Sequence, residues 1–132
     1  IIVTAGHCME TARDCQANSW VFNYAIKRAG QNPLAVLASD VYRCKRIIKT
    51  VLNDSQDFAV IKLDRPVSGR SPLQFRTSGK IADRTHLVVI GHPSGLPSKV
   101  AAGARVLDNS ATSTFGANLD TFQGNSGSGV FN

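Results

Sequence analysis

The stretch Val41-Tyr42-Arg43-Cys44-Lys45-Arg46-Ile47-Ile48-Lys49-Thr50-Val51-Leu52, followed by Asn53-Asp54-Ser55 and then Gln56-Asp57-Phe58-Ala59-Val60-Ile61-Lys62-Leu63, decides the fold class. Its two arms are rich in β-branched and aromatic residues, which suit the pleated, half-buried surface of a sheet. Between them sit three short polar side chains, the kind that hydrogen-bond to their own backbone and turn the chain. The reading is two strands, Val41–Leu52 and Phe58–Leu63, around a turn. Working outward, the same alternation of short apolar run and turn signal recurs. Strands are expected at Ile1–Ala5, Trp20–Ile26, Leu87–Gly91, Lys99–Asn109 and Thr112–Leu119, and Gly30-Gln31-Asn32-Pro33 and His92-Pro93-Ser94-Gly95 mark turns. Helix formers do not dominate. The fold class is therefore all-β, built as barrels or a sandwich. Val67 to Lys80, with Ser68-Gly69-Arg70-Ser71-Pro72 and Ser78-Gly79, reads as a linker between two β-units, residues 1–70 and 71–132.

The chain has 132 residues, 42% of them hydrophobic. That supports one small domain or two very small ones packed together and excludes global disorder. Fifteen Lys and Arg against nine Asp and Glu give a net charge of +6. Such a balance can serve nucleic acid, anionic lipid or acidic substrates. The basic residues are mostly scattered. The densest group, Arg43, Lys45, Arg46 and Lys49, is interleaved with Ile47, Ile48 and Val51 and reads as the solvated face of a strand. No nucleic-acid-binding motif accompanies the charge, so no nucleic-acid partner is expected. No apolar run is long enough to span a bilayer. The chain opens on Ile1-Ile2-Val3-Thr4, which reads as mid-strand, and closes on Val130-Phe131-Asn132, which reads as the start of another strand. The expectation is that both ends are cut and that an export signal lies outside the segment.

Cys8, Cys15 and Cys44 match no zinc ligand spacing, so no metal is expected. Their odd number leaves one thiol free or paired elsewhere. Cys15 and Cys44 flank the strand around Trp20–Ile26 and could bridge neighbouring strands; Cys8 could also take part. Any bridge indicates an oxidising compartment.

Three local contexts carry chemistry. In Gly124-Asn125-Ser126-Gly127-Ser128-Gly129, glycine on both sides of a serine permits a tight turn. It also lets amide N–H groups point into the space beside the hydroxyl. A serine needs such donors, those of Gly124 and Ser126, to stabilise the oxyanion its attack creates. Taken alone, a Gly/Ser-rich segment is an ordinary flexible turn. In Thr4-Ala5-Gly6-His7-Cys8, a histidine follows an apolar strand directly, where a base that titrates near neutrality can be held rigidly. His86 falls at a strand edge and His92 in a turn. In Ser55-Gln56-Asp57-Phe58, an aspartate stands at the mouth of an apolar strand. There it can accept hydrogen bonds from an imidazole, fix its tautomer and stabilise the imidazolium. Asp54, Asp64 and Asp108 read as plain turn residues.

The order His, Asp, Ser, each in its own context, resembles the trypsin-like (chymotrypsin-fold) serine peptidases. The matching segments are TAGHC, DFAVIKLDRPV and GNSGSGVFN, and the resemblance runs from Ile1 to Asn132. It implies two antiparallel β-barrels, both partial in this chain. Residues 1–70 would carry His7 and Asp57, and residues 71–132 would carry Ser126. It also implies a serine endopeptidase working through an acyl-enzyme, with catalytic His7, Asp57 and Ser126, an oxyanion hole at Gly124 and Ser126, a protein or peptide substrate, no metal and no cofactor. The localisation implied is secreted or periplasmic. GNSGS and Gly91–Lys99 are similar to the bacterial glutamyl-endopeptidase-like branch. Asn125 stands where vertebrate digestive enzymes have the aspartate that pairs with a newly cut N-terminus, so activation by that route is not expected. Gly129 stands where relatives usually have proline.

Two readings of the substrate pocket stay open. Asp120, six residues before Ser126, resembles the base of the side-chain pocket in trypsin and would favour Arg or Lys. Alternatively Asp120 points away, and Thr121 helps bind a glutamate side chain. A catalytically silent binding module on the same scaffold is the alternative function, although this chain keeps all three triad positions.

Overall fold

A computed structural model describes residues 1–132. Its organising element is the hairpin of β3 (Val41–Asn53) and β4 (Gln56–Leu63). Asn53 Oδ1 accepts from the backbone N–H groups of Ser55 and Gln56, at 3.0 and 2.9 Å, which closes the turn the sequence signals. The alternation in β4 is sharp: Ala59, Ile61 and Leu63 are buried, while Lys62 is exposed. β3 carries register shifts after Cys44 and after Ile47. Each adds a residue that the partner strand does not match, and the extra twist curls the sheet.

β1 (Ile2–Thr4) pairs antiparallel with β4, and β2 (Ser19–Val21) pairs antiparallel with β3. The first sheet therefore runs β1-β4-β3-β2. The second is built from β5 (His86–Gly91), β6 (Lys99–Asp108), β7 (Gly116–Ala117) and β8 (Gly129–Phe131), in the order β7-β6-β5-β8. Two curled antiparallel sheets make the chain nearly all-β, consistent with the two-barrel expectation. Met9, Cys15, Ala59 and Ile61 form the core of the first sheet; Leu87, Ala104 and Val106 form that of the second. Burying each large aliphatic side chain contributes about 1.5–3 kcal/mol. Both sheets have open edges, and only 14 of 132 residues are buried, so large apolar side chains such as Leu73 and Phe75 remain exposed. No helix is long and apolar enough to cross a membrane.

Three local expectations are corrected. The strand expected at Trp20–Ile26 is confined to Ser19–Val21. Asn23 adopts φ 61° and its side chain donates to Asp40, so the chain leaves the sheet there. The strand expected at Thr112–Leu119 shrinks to Gly116–Ala117. Residues before it form a loop gripped by Lys80, whose Nζ donates to the carbonyls of Asn109, Ser110 and Ala111 at 3.2, 3.3 and 2.7 Å. Three carbonyls gathered on one ammonium bend the backbone just before Thr112, and Ser113 is then drawn to Ser55 O. Finally, a short helix, α1 (Ala12–Ala17), occupies a stretch with no helical expectation. Its length is below the window in which apolar periodicity shows. Its signal is a capping box: Thr11 Oγ1 accepts from Asp14 N at 3.3 Å, and Asp14 Oδ2 accepts from Thr11 N at 2.7 Å.

α1 also settles the cysteine pairing. Cys15 faces the first sheet and is bonded to Cys44, with Cα atoms 5.1 Å apart and a separation of 29 positions in sequence; Cys8 is free. Closing a loop of that length contributes about 3–4 kcal/mol through the unfolded chain. Residues 67–80 form no helix or strand. Arg70 ties this segment back to the first unit, 3.3 Å from Asp40 and stacked 4.9 Å from the Phe22 ring. Direct bonds then join the two halves: Ser113 Oγ donates to Ser55 O at 2.8 Å, and Ser98 N donates to Tyr24 O at 2.8 Å.

Candidate active site

His7 lies in a 3-10 turn, Gly6–Cys8, directly after β1. Pairing of Thr4 with Ala59 brings this turn beside the start of β4, where Asp57 sits opposite Leu52. Two hydrogen bonds join the pair. His7 backbone N donates to Asp57 Oδ1 at 2.9 Å, and His7 Nδ1 lies 2.6 Å from Asp57 Oδ2. Gly6 makes this approach possible. A Cβ there would collide with Val51 O and come within 2.9 Å of Asp57 Oδ1 and 3.0 Å of Phe58 N.

Hydrogen bonds from the His7 side chain and then its backbone hold the Asp57 carboxyl below its ordinary range. A carboxylate acceptor sets Nδ1 as the protonated nitrogen and leaves Nε2 as an acceptor. The pH consequence has a definite sign. A depressed folded-state pKa means that the pair stabilises the fold above the unfolded-state value, and that this contribution is lost as pH falls through the lower folded-state value. In a carbon-13 titration, the Asp57 carboxyl is expected to have its midpoint below the ordinary aspartate range, and His7→Ala is expected to move it upward. A midpoint indifferent to His7 would contradict this cause. The neighbouring Cys8 thiol is pushed up, by partial desolvation and then by the Asp57 charge, so it stays a thiol rather than a competing thiolate.

Ser126 lies in the loop between β7 and β8. The loop is two tight turns in succession, closed by Asn125 N to Phe122 O at 3.1 Å and Ser128 N to Asn125 O at 2.9 Å. Gly124 and Gly127 adopt φ 93° and 80°, which glycine reaches without Cβ strain. The backbone N–H groups of Gly124 and Ser126 donate to no carbonyl within the protein. Gly127 packs against the strand before His7: a Cβ would collide with Thr4 Oγ1 and come within 2.9 Å of Ala5 N. On the other side, Ser94 N donates to Gln123 O at 2.7 Å, so the turn at Pro93–Gly95 supports the loop.

His7, Asp57 and Ser126 thus open onto one cleft, with Thr4, Phe58 and Gly127 among its walls. No hydrogen bond joins Ser126 to His7. Asp120 and Thr121 are exposed and lie off the cleft wall. Asn125 Oδ1 is buried without a hydrogen-bond partner. Thr4, Gly6 and Gly127 set the spacing of the cleft; all three lie within the motifs that the sequence marks, but the contacts they make across it are not legible there.

A family model described as "Trypsin-like peptidase domain" matches residues 1–132. No curated protein and no solved structure matches the chain significantly. By a match that covers its whole length, the chain belongs to the family of trypsin-like peptidase domains.

Proposed function

We propose that the chain is a serine endopeptidase that hydrolyses peptide bonds through an acyl-enzyme. The observation that carries this reading is the 2.6 Å contact between His7 Nδ1 and Asp57 Oδ2 on the wall of the cleft that also presents Ser126. Ser126 Oγ attacks the scissile carbonyl while His7 Nε2 takes its proton. The charge that develops on the carbonyl oxygen meets the uncommitted N–H groups of Gly124 and Ser126. The tetrahedral intermediate collapses, His7 returns the proton to the leaving amine, and Ser126 is left as an ester. Water, deprotonated by His7, then attacks the ester and frees Ser126. Asp57 orients the imidazole and stabilises its charged form throughout.

In this reading residues 1–70 are one barrel unit and residues 71–132 the other, with the cleft between them. The bacterial glutamyl-endopeptidase-like branch is proposed for the specificity. Asp120 and Thr121 are both exposed and neither lines the cleft, so the choice of branch rests on the resemblance of GNSGS and Gly91–Lys99. Asn125 carries no charge with which to pair a new N-terminus, which argues against activation by that route. The Cys15–Cys44 bond supports export to an oxidising compartment.

The test is covalent labelling of the full chain with a fluorophosphonate probe. Wild type is expected to label, with the adduct on Ser126, and Ser126→Ala is expected not to. An unlabelled wild type, under conditions that label trypsin, would favour a silent binding module. A mixed peptide library then reads the specificity: cuts after glutamate support the branch, and cuts after Arg or Lys refute it.

A further inference from the structure

The outer face of the first sheet carries a row of cations whose side chains form no salt bridge within the protein. Along β3 the side chains of Tyr42, Cys44, Ile47 and Thr50 turn toward the core. Arg43, Arg46 and Lys49 alternate with them and are exposed, and Lys45 sits at the first bulge, also exposed. Arg46 is paired directly across the ladder with Lys62 of β4. Like charges placed directly opposite each other destabilise a sheet. No carboxylate lies within ion-pair distance of these five side chains. Of the acidic groups of the hairpin, Asp57 is bonded to His7, Asp64 lies at the Arg43 end of the row but pairs with Arg65 at 3.2 Å and with the Arg43 backbone, and Asp54 lies in the turn.

The row also has a direction. Lys49 Nζ lies 5.8 Å from the centre of the Phe58 ring, and Phe58 forms part of the wall of the cleft that holds His7, Asp57 and Ser126. The charge therefore leads from the β2 side of the sheet to the mouth of the cleft. We propose that this face is a docking rail for an acidic, extended stretch of the polypeptide substrate, which it holds while the adjoining segment enters the cleft. The inference rests on the peptidase reading for its purpose and on the sheet alone for its chemistry.

Spacing selects the partner. Each bulge absorbs one residue, so Arg43, Arg46 and Lys49 stand two ladder steps apart, about 7 Å. An extended acidic peptide presents carboxylates on one face at the same interval, about 7 Å. Duplex DNA carries a charge every ~1.7 Å of its axis and is read by elements that enter a groove. Cations about 7 Å apart match the interval of an extended peptide rather than that of the duplex.

The test is fluorescence anisotropy of fluorescein-labelled decaglutamate, measured on the full chain in a Ser126→Ala background at low and high salt. Arg46→Gln/Lys49→Gln/Lys62→Gln is expected to weaken binding at low salt by about tenfold or more, and high salt is expected to weaken the unmodified rail similarly. A charge-matched control, Arg28→Gln/Lys99→Gln/Arg105→Gln, is expected to change binding less than about twofold, because these cations lie off the rail. Equal weakening in the two triple variants would show a response to net charge alone and overturn the proposal. So would binding of heparin or duplex DNA without binding of decaglutamate. Fluorophosphonate labelling of the wild type separates the two readings. A protein that labels but does not bind decaglutamate overturns the rail alone. A protein that binds decaglutamate through the rail but never labels keeps the rail as a binding face and overturns the peptidase reading.

Discussion

Asp57→Asn is expected to lower kcat/KM about 10⁴-fold, the scale seen when the orienting aspartate of a triad loses its charge, while the fold is retained. The substitution is nearly isosteric. Oδ1 can still accept the His7 backbone N–H, now 2.9 Å away, so the turn at Gly6–Cys8 keeps its anchor. The loss falls on the second contact, where Oδ2 now lies 2.6 Å from His7 Nδ1. An amide nitrogen there donates and cannot accept. His7 then presents a bare Nδ1 to it and carries its proton on Nε2, the atom that must accept from Ser126. The imidazolium formed during attack also loses the adjacent negative charge. Steady-state kinetics on a peptide substrate, with a thermal melt alongside, separates this from unfolding. An unchanged kcat/KM would mean that Asp57 only fastens the turn.

Gly127→Ala is expected to lower kcat/KM by about two orders of magnitude, the cost of displacing a reacting group by about 1 Å. At φ 80°, an alanine pays about 1–2 kcal/mol for a left-handed backbone. Overpacking against Thr4 Oγ1 and Ala5 N costs about 1–3 kcal/mol more. Both neighbours belong to the segment before His7, and one of them is backbone, so the loop must yield and carry Ser126 away from the imidazole. Gly69→Ala is the matched control. It has φ 70° and open space around the Cβ, so it bears the conformational cost without the clash. Its activity is expected to equal wild type. Equal loss in both variants would point to general destabilisation rather than displacement of Ser126.

These two substitutions show how differently parts of the molecule could be read from residues alone. Asp57 stands out because an aspartate that opens an apolar strand is a local pattern. Gly127 is visible as a glycine but not as the point where one half of the molecule rests on the other. The hairpin of β3 and β4 was legible nearly to the residue, since alternation, β-branching and an Asn-Asp-Ser turn all act within a few positions. β2 and β7 were expected too long, because β-favouring residues continue past Asn23, where the backbone leaves the ladder, and through Thr112–Phe115, where Ser113 bonds to Ser55 instead. α1 was missed because six residues are too few to show a helical period, and only its Thr11–Asp14 cap marks it.

The amino-acid sequence by itself determined the all-β class, the central hairpin and the three contexts around His7, Asp57 and Ser126. Each depends on periodicity or turn chemistry over short distances along the chain. Tertiary structure alone decided that Cys15 meets Cys44 rather than Cys8, that Asp57 meets a histidine 50 residues away, and that Ser126 reaches the same cleft. It also decided that Lys62 joins Arg46 on one face. The physical reason is that contacts between distant segments are set by strand register, bulges and close backbone approach. A one-residue change in register reverses which side chains share a face.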